Sequence, residues 1–298
     1  MAETALPAPG RAAAPIDLQK TLRASWPLIL GLAALAVPSV LSLSKNAWAR
    51  ESGAHGPLVL VTGLWLLFRQ MSDERSSARQ GKTWISAIVL LPSLAVYVIS
   101  RVFDFASLEV LSLIGIGVAF LHDVFGVAVL RRNWFPLFFL LFAVPPPGSL
   151  VDQITAPLKQ FVSEAAMKTV YLFGVPASRE GVTIYVSKYQ LLMEDACSGM
   201  NSLFGLTAVS LLYIYLLRGA FARYCLLMTL FVIPIAIVGN ILRVIVLILL
   251  TYFMGDGVAQ GFLHYTTGFL LFILDLILVF AVDSVLFRLA PKSWKTAR

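Results

Sequence analysis

Glu194-Asp195-Ala196-Cys197-Ser198-Gly199-Met200-Asn201-Ser202 runs without a spacer into the apolar stretch Leu203 to Leu217, LFGLTAVSLLYIYLL, which stops at Arg218. So abrupt a change in polarity is what a chain shows where it leaves water and enters a membrane helix. Cys197 then stands in or just before the first turn of that helix. A thiol at this place feels the positive end of the helix dipole and backbone N–H groups that have no partner within the helix, and both favour the thiolate. The small residues Ser198 and Gly199 let another backbone, such as that of a peptide, come close to the sulfur. A lone cysteine is more often an inert packing group. Cys225 reads that way, because it sits inside an apolar run with no polar cluster beside it.

The rest of the chain has the same character. Of its 298 residues 59% are hydrophobic and 13% charged, against about 25% charged in ordinary soluble domains. The fold class expected is an all-α integral membrane protein. Two cysteines far apart give neither a disulfide framework nor a zinc ribbon. No metal-ligand or nucleotide-binding spacing occurs, so no cofactor is expected. The net charge of +7 is in this setting a signal of topology and not of nucleic-acid binding.

Residues 1–25, rich in Ala and Pro, lack the pattern of a secretory signal and read as a disordered cytoplasmic tail. A polytopic membrane domain is expected over 26–288, with about eight spans. These are Trp26 to Ser44, Pro57 to Phe68, Thr83 to Ser100, Leu108 to Leu130, Trp134 to Val144, Leu203 to Leu217, Tyr224 to Met254 and His264 to Phe287. The fifth stops at Pro145-Pro146-Pro147, where helix propagation loses its donors. Between the fifth and sixth, Leu150, Val151, Ile154, Leu158, Phe161, Val162 and Ala165 recur at helical spacing, with Asp152, Lys159, Gln160, Glu164 and Lys168 on the other face. That pattern is an amphipathic helix, either lying at the membrane surface or packed shallowly against the spans. Val182, Ile184 and Val186 alternate with polar neighbours and predict a short β segment on the same side of the membrane as Cys197.

Placing the N-terminus inside puts 15 of the 23 basic residues in cytoplasmic segments, among them the loop Arg69 to Lys82, Arg131-Arg132, Arg218, Arg223 and the basic tail 289–298. Cys197 then lies at the outer face. Arg243 stands apart in the run Ile241-Leu242-Arg243-Val244-Ile245-Val246-Leu247, where insertion costs at least about 2.5 to 3.5 kcal/mol. It is too far from either end of its span to snorkel with ease. Either it pairs structurally or it serves a function, and Asn240, three residues earlier, shares its helix face. A helix rises about 1.5 Å per residue, so Cys197, Arg243 and His264 all fall roughly 30 to 36 Å from the arginines at the inner ends of their spans. His55 and His122 read as structural.

The segments EDACSGMNS, NILR containing Arg243, and HYTTG beginning at His264 occur in an order that resembles the exosortase/archaeosortase family, over residues 80–288. That resemblance implies a membrane-embedded cysteine peptidase and transpeptidase, with Cys197, Arg243 and His264 as catalytic residues and Asn240, Ser198, Gly199 and Asn201 positioning the substrate. By the same resemblance the partners would be exported proteins with a C-terminal PEP-like motif, a membrane helix and a basic cluster. The acceptor would be water, an amine, a glycan or a lipid, and the location the bacterial cytoplasmic membrane. The rival reading is a transporter or flippase in which Arg243 and His264 line a path for an anionic substrate. Against it, acidic residues are sparse in the spans, and Asp275 and Asp283 lie well inward of Cys197.

Overall fold

The structure, a computed structural model, describes residues 26–49, 53–73, 80–181, 183–187, 189–192, 202–218, 222–255 and 262–289. It is an all-α membrane protein with one small sheet. In order the elements are α1 (Trp26–Lys45), α2 (Gly56–Asp73), α3 (Thr83–Val102), α4 (Ala106–Arg132), α5 (Trp134–Leu140) and α6 (Gly148–Leu172). Strands β1 (Ala177–Glu180), β2 (Thr183–Val186) and β3 (Tyr189–Leu192) follow, and then α7 (Ser202–Arg218), α8 (Ala222–Met254) and α9 (Phe262–Leu289). Among the described residues five helices are long and apolar enough to cross a membrane: α1, α3, α4, α8 from Leu226 and α9 from Phe269. Three shorter apolar helices, Gly56–Met71, Trp134–Ala143 and Phe204–Leu217, stand where the other three of the eight expected spans fall. The chain divides into two compact units.

The first unit holds residues 26–41 and 60–141. Its centre is the pair α3 and α4, which meet at Gly115, where any side chain would strike the Ser93 hydroxyl. Several polar groups inside it meet in pairs. Tyr97 donates to the Leu35 carbonyl and lies 3.1 Å from the Ser39 hydroxyl, tying α1 to α3. Buried Glu109 accepts from Arg101 at 2.9 Å. His122 Nδ1 lies 2.8 Å from the Ser86 hydroxyl, which gives that histidine a structural role. The span expected over Leu108 to Leu130, with His122 and Asp123 interrupting its apolar run, leaves helical geometry at Gly126, whose φ of 76° only glycine adopts without strain.

The second unit holds residues 42–59 and 142–289. In its core α6 lays Val162, Ala166, Met167 and Val170 against Val175 just before β1, Ala177, Ile184 and Val186 of the strands, and Val244, Leu247 and Ile248 of α8. The apolar set read from the sequence includes Phe161, which is 55% exposed from the protein and so open to a membrane surface, while Ser163 and Thr155 are buried. Arg179 of β1 donates to the Ser163 hydroxyl at 2.6 Å, a bond that makes a polar residue compatible with the interior. The expected single strand is a three-stranded antiparallel meander, β1-β2-β3, with Ile184 and Val186 as its buried face. Val182, expected in the strand, lies outside the described residues. Both hairpin connections open on a residue with positive φ, Gly181 at 59° and Ser187 at 55°, as primed turns require.

Candidate functional site

α8 carries the site's buried charge. Along it Val232, Asn240, Arg243, Val244, Leu247, Ile248 and Thr251 are buried, whereas Leu226, Leu230, Ile233, Val238 and Leu242 are exposed. The buried set recurs every three to four residues, so the helix turns one stripe to protein and the other to lipid. Arg243, 9% exposed, belongs to the protein stripe. It therefore does not reach water by lying along the lipid face. Asn240, 4% exposed, lies one turn before it, and among the described residues neither polar atom of its amide has a hydrogen-bond partner. An amide buried with both donor and acceptor unmade costs roughly 1 to 3 kcal/mol, a cost that a bound polar ligand would remove.

Two contacts set the register of α8 against α9. Tyr224 donates to Asp283 Oδ1 at 2.6 Å, and Tyr213 of α7 donates to Oδ2 at 3.4 Å, so one fully buried carboxylate joins three helices. Further along, the Asp275 carboxylate lies against Gly239, with no room for a side chain between them. Asp275 is 8% exposed, and its Oδ1 has no partner among the described residues. Counted from the Tyr224 and Asp283 contact, Arg243 and His264 are each nineteen residues along toward the Met254 end of α8, but Pro234 interrupts that length of α8. From the nearer Gly239 and Asp275 contact they are four and eleven residues along, which sets position 264 about 10 Å further than Arg243 and corrects the single level expected from the sequence. Position 264 is three turns from Asp275 and so lies on the same face of α9.

The sheet packs on the same helix. Ile184 and Val186 of β2 pack against Val244, Leu247 and Ile248, directly after Arg243 in α8. β3 ends at Leu192, and α7 begins at Ser202. Cys197, Ser198, Gly199 and Asn201 lie between them, outside the described residues, as does the side chain of His264. Of the residues that the sequence singled out, the structure thus brings Arg243 and Asn240 together on one buried face and places the backbone of His264 in the first turn of α9.

The settings of two further groups escaped the sequence reading. The first is the Asp275 carboxylate over Gly239; a Gly-Asn pair three residues before a membrane arginine was its only trace in the sequence. The second is the setting of His55, read as structural. Its Nε2 lies 3.1 Å from the Phe142 carbonyl oxygen, and a side chain on Gly205 of α7 would touch its Cβ at 3.5 Å. Burial lowers the pKa of His55 below its ordinary 6.5, against a smaller upward pull from Phe142.

No curated protein and no solved structure matches the chain. A protein-family model described as transmembrane exosortase matches it over residues 48–281.

Proposed function

The chain belongs to the transmembrane exosortase family, and from that premise we propose that it is a cysteine transpeptidase that removes the C-terminal sorting signal of exported proteins and transfers them to an acceptor. The family supports a membrane sorting role in general. The observation that carries the finer reading is the buried Arg243 and Asn240 pair, on the protein-facing stripe of α8, the helix that also packs on the sheet whose last strand leads to Cys197.

In this reading the Cys197 thiolate attacks a substrate carbonyl and forms a C–S bond. The carbonyl electrons move onto oxygen, where the Arg243 guanidinium stabilises them in a site of low dielectric. As the tetrahedral species collapses, the C–N bond breaks and His264 gives its proton to the leaving amine. A thioacyl enzyme remains. Neutral His264 then takes the proton of an acceptor nucleophile, which attacks the thioester and returns Cys197 to the thiolate. Asn240, with Ser198, Gly199 and Asn201, would position the substrate backbone. The substrates would be proteins ending in a PEP-like motif, a membrane helix and a basic cluster, processed at the outer face of a bacterial cytoplasmic membrane with both termini of the enzyme inside.

Replacement of the nucleophile tests this. Cys197→Ala is expected to abolish processing of a tagged substrate, read by immunoblot, while the enzyme accumulates at its normal level. Full processing by that variant would end the cysteine mechanism. A Cys225→Ala enzyme should process as the native protein does.

A further inference from the structure

β3 is the last described element before Cys197, and it forms one edge of its sheet. Its register with β2 decides which backbone groups are used. Val186 pairs with Tyr189 across a two-residue connection, Tyr185 with Gln190, Ile184 with Leu191 and Thr183 with Leu192. In a two-residue antiparallel hairpin the pair flanking the turn exchanges hydrogen bonds, and such pairs alternate with pairs that do not. Tyr189 and Leu191 therefore bond back to β2. The N–H and C=O groups of Gln190 and Leu192 point the other way, and among the described residues β2 is the strand partner of β3.

The sheet is tied to α8. β2 packs there through Ile184 and Val186, in one cluster with Val244, Leu247 and Ile248. β3 approaches the end of the same helix, since a side chain on Gly255 would meet the Tyr189 hydroxyl at 3.3 Å. From Leu192 the chain reaches Cys197 in five residues, at most about 18 Å of extended backbone.

We propose that an extended stretch of the substrate polypeptide adds to this sheet as a fourth strand, pairing with the outward backbone groups of Gln190 and Leu192. The pairing delivers the scissile carbonyl toward Cys197. It rests on the transpeptidase reading above and specifies the form in which that enzyme takes its substrate. Main-chain pairing of this kind supplies affinity that depends little on sequence, and every second side chain of the added strand is left to confer specificity. The substrate class is thus a polypeptide with no regular structure of its own just ahead of its membrane span.

The test uses the full-length enzyme in membranes, in a Cys197→Ala, Cys225→Ala background that carries Gln190→Cys. The probe is a tagged, exported reporter whose tail holds a PEP-like motif, one apolar span and an arginine cluster. Single cysteines are walked through the segment ahead of that span. Mild oxidation should give disulfides at alternate substrate positions. Disulfides of equal yield at consecutive positions, or none while the uncleaved reporter still co-purifies, would overturn strand addition and leave the cysteine chemistry standing. A second measurement uses otherwise native enzyme. Gln190→Pro removes an outward N–H at an edge, where proline is tolerated, so turnover per enzyme should fall about tenfold with enzyme level unchanged. Leu191→Pro, which breaks a bond to β2, should instead lower the enzyme level. Native turnover by Gln190→Pro would refute the pairing.

Discussion

Arg243 keeps its charge at any physiological pH, so burial cannot neutralise it and the protein or a ligand must solvate it. Its place on the protein-facing stripe of α8, with the bare amide of Asn240 one turn away, favours a ligand over a lipid-facing anchor. If the guanidinium holds the developing oxyanion, an ammonium keeps the charge but loses the planar fork. Arg243→Lys should then be folded, lowered about 10²- to 10³-fold in turnover per enzyme, and still able to retain uncleaved precursor on co-purification. A structural arginine would instead lose activity only in proportion to lost protein. Gly239 makes a separate prediction. A methyl group there collides with the Asp275 carboxylate, so Gly239→Ala should destabilise the protein by about 1 to 3 kcal/mol. Combining it with Asp275→Ala should recover much of that loss, because the two positions share one contact. Thermal melting in detergent reads both variants. Arg243 and Asn240 were legible in the sequence because a charge in an apolar run stands out by itself. Asp275 was not, since its importance depends on which helix it faces.

At the scale of elements, legibility followed burial. β2 alternates Thr183, Ile184, Tyr185, Val186 because one face is in the core, and it was readable. β1 exposes Ser178, Arg179 and Glu180 and carries no alternation to read. The burial of Ser163 in α6 was hidden for a related reason: Ser163 looks like a surface residue until Arg179 supplies its partner. Helix junctions hold predictions of their own. Tyr224→Phe removes a buried hydrogen bond to the Asp283 side chain, a contribution of about 0.5 to 1.5 kcal/mol, and should lower the melting temperature without altering turnover per folded enzyme. His55 gives a pH dependence. Its pKa is held below 6.5 in the folded state, first by burial, so the folded state binds fewer protons there than the unfolded chain. The stability that follows is present above the unfolded value and is lost as pH falls toward the folded one. Melting temperature should therefore drop on acidification from about pH 7 to pH 5, and less steeply in His55→Asn.

Over the whole molecule the eight apolar segments were readable from composition alone, because lipid imposes the same demand on every span. Composition does not show how helices pair, and the two-unit division and the α8 and α9 register came only from the structure. Sidedness rests on the distribution of Lys and Arg. In an enzyme carrying Cys197→Ala and Cys225→Ala, a cysteine at Ser178, exposed on β1, should react with a membrane-impermeant thiol reagent in intact cells. One at Ser76 should not. The reverse pattern would put the sheet in the cytoplasm and remove the sorting role. Everything proposed for this membrane fold converges on one covalent species, an acyl group carried by Cys197. The most direct measurement is mass spectrometry of enzyme recovered from cells that express the tagged substrate, quenched at low pH to preserve thioesters. The expected result is a hydroxylamine-sensitive substrate adduct on the peptide that contains Cys197, absent from the Cys197→Ala enzyme. Active processing with no such adduct, or an adduct mapped to Cys225, would contradict it.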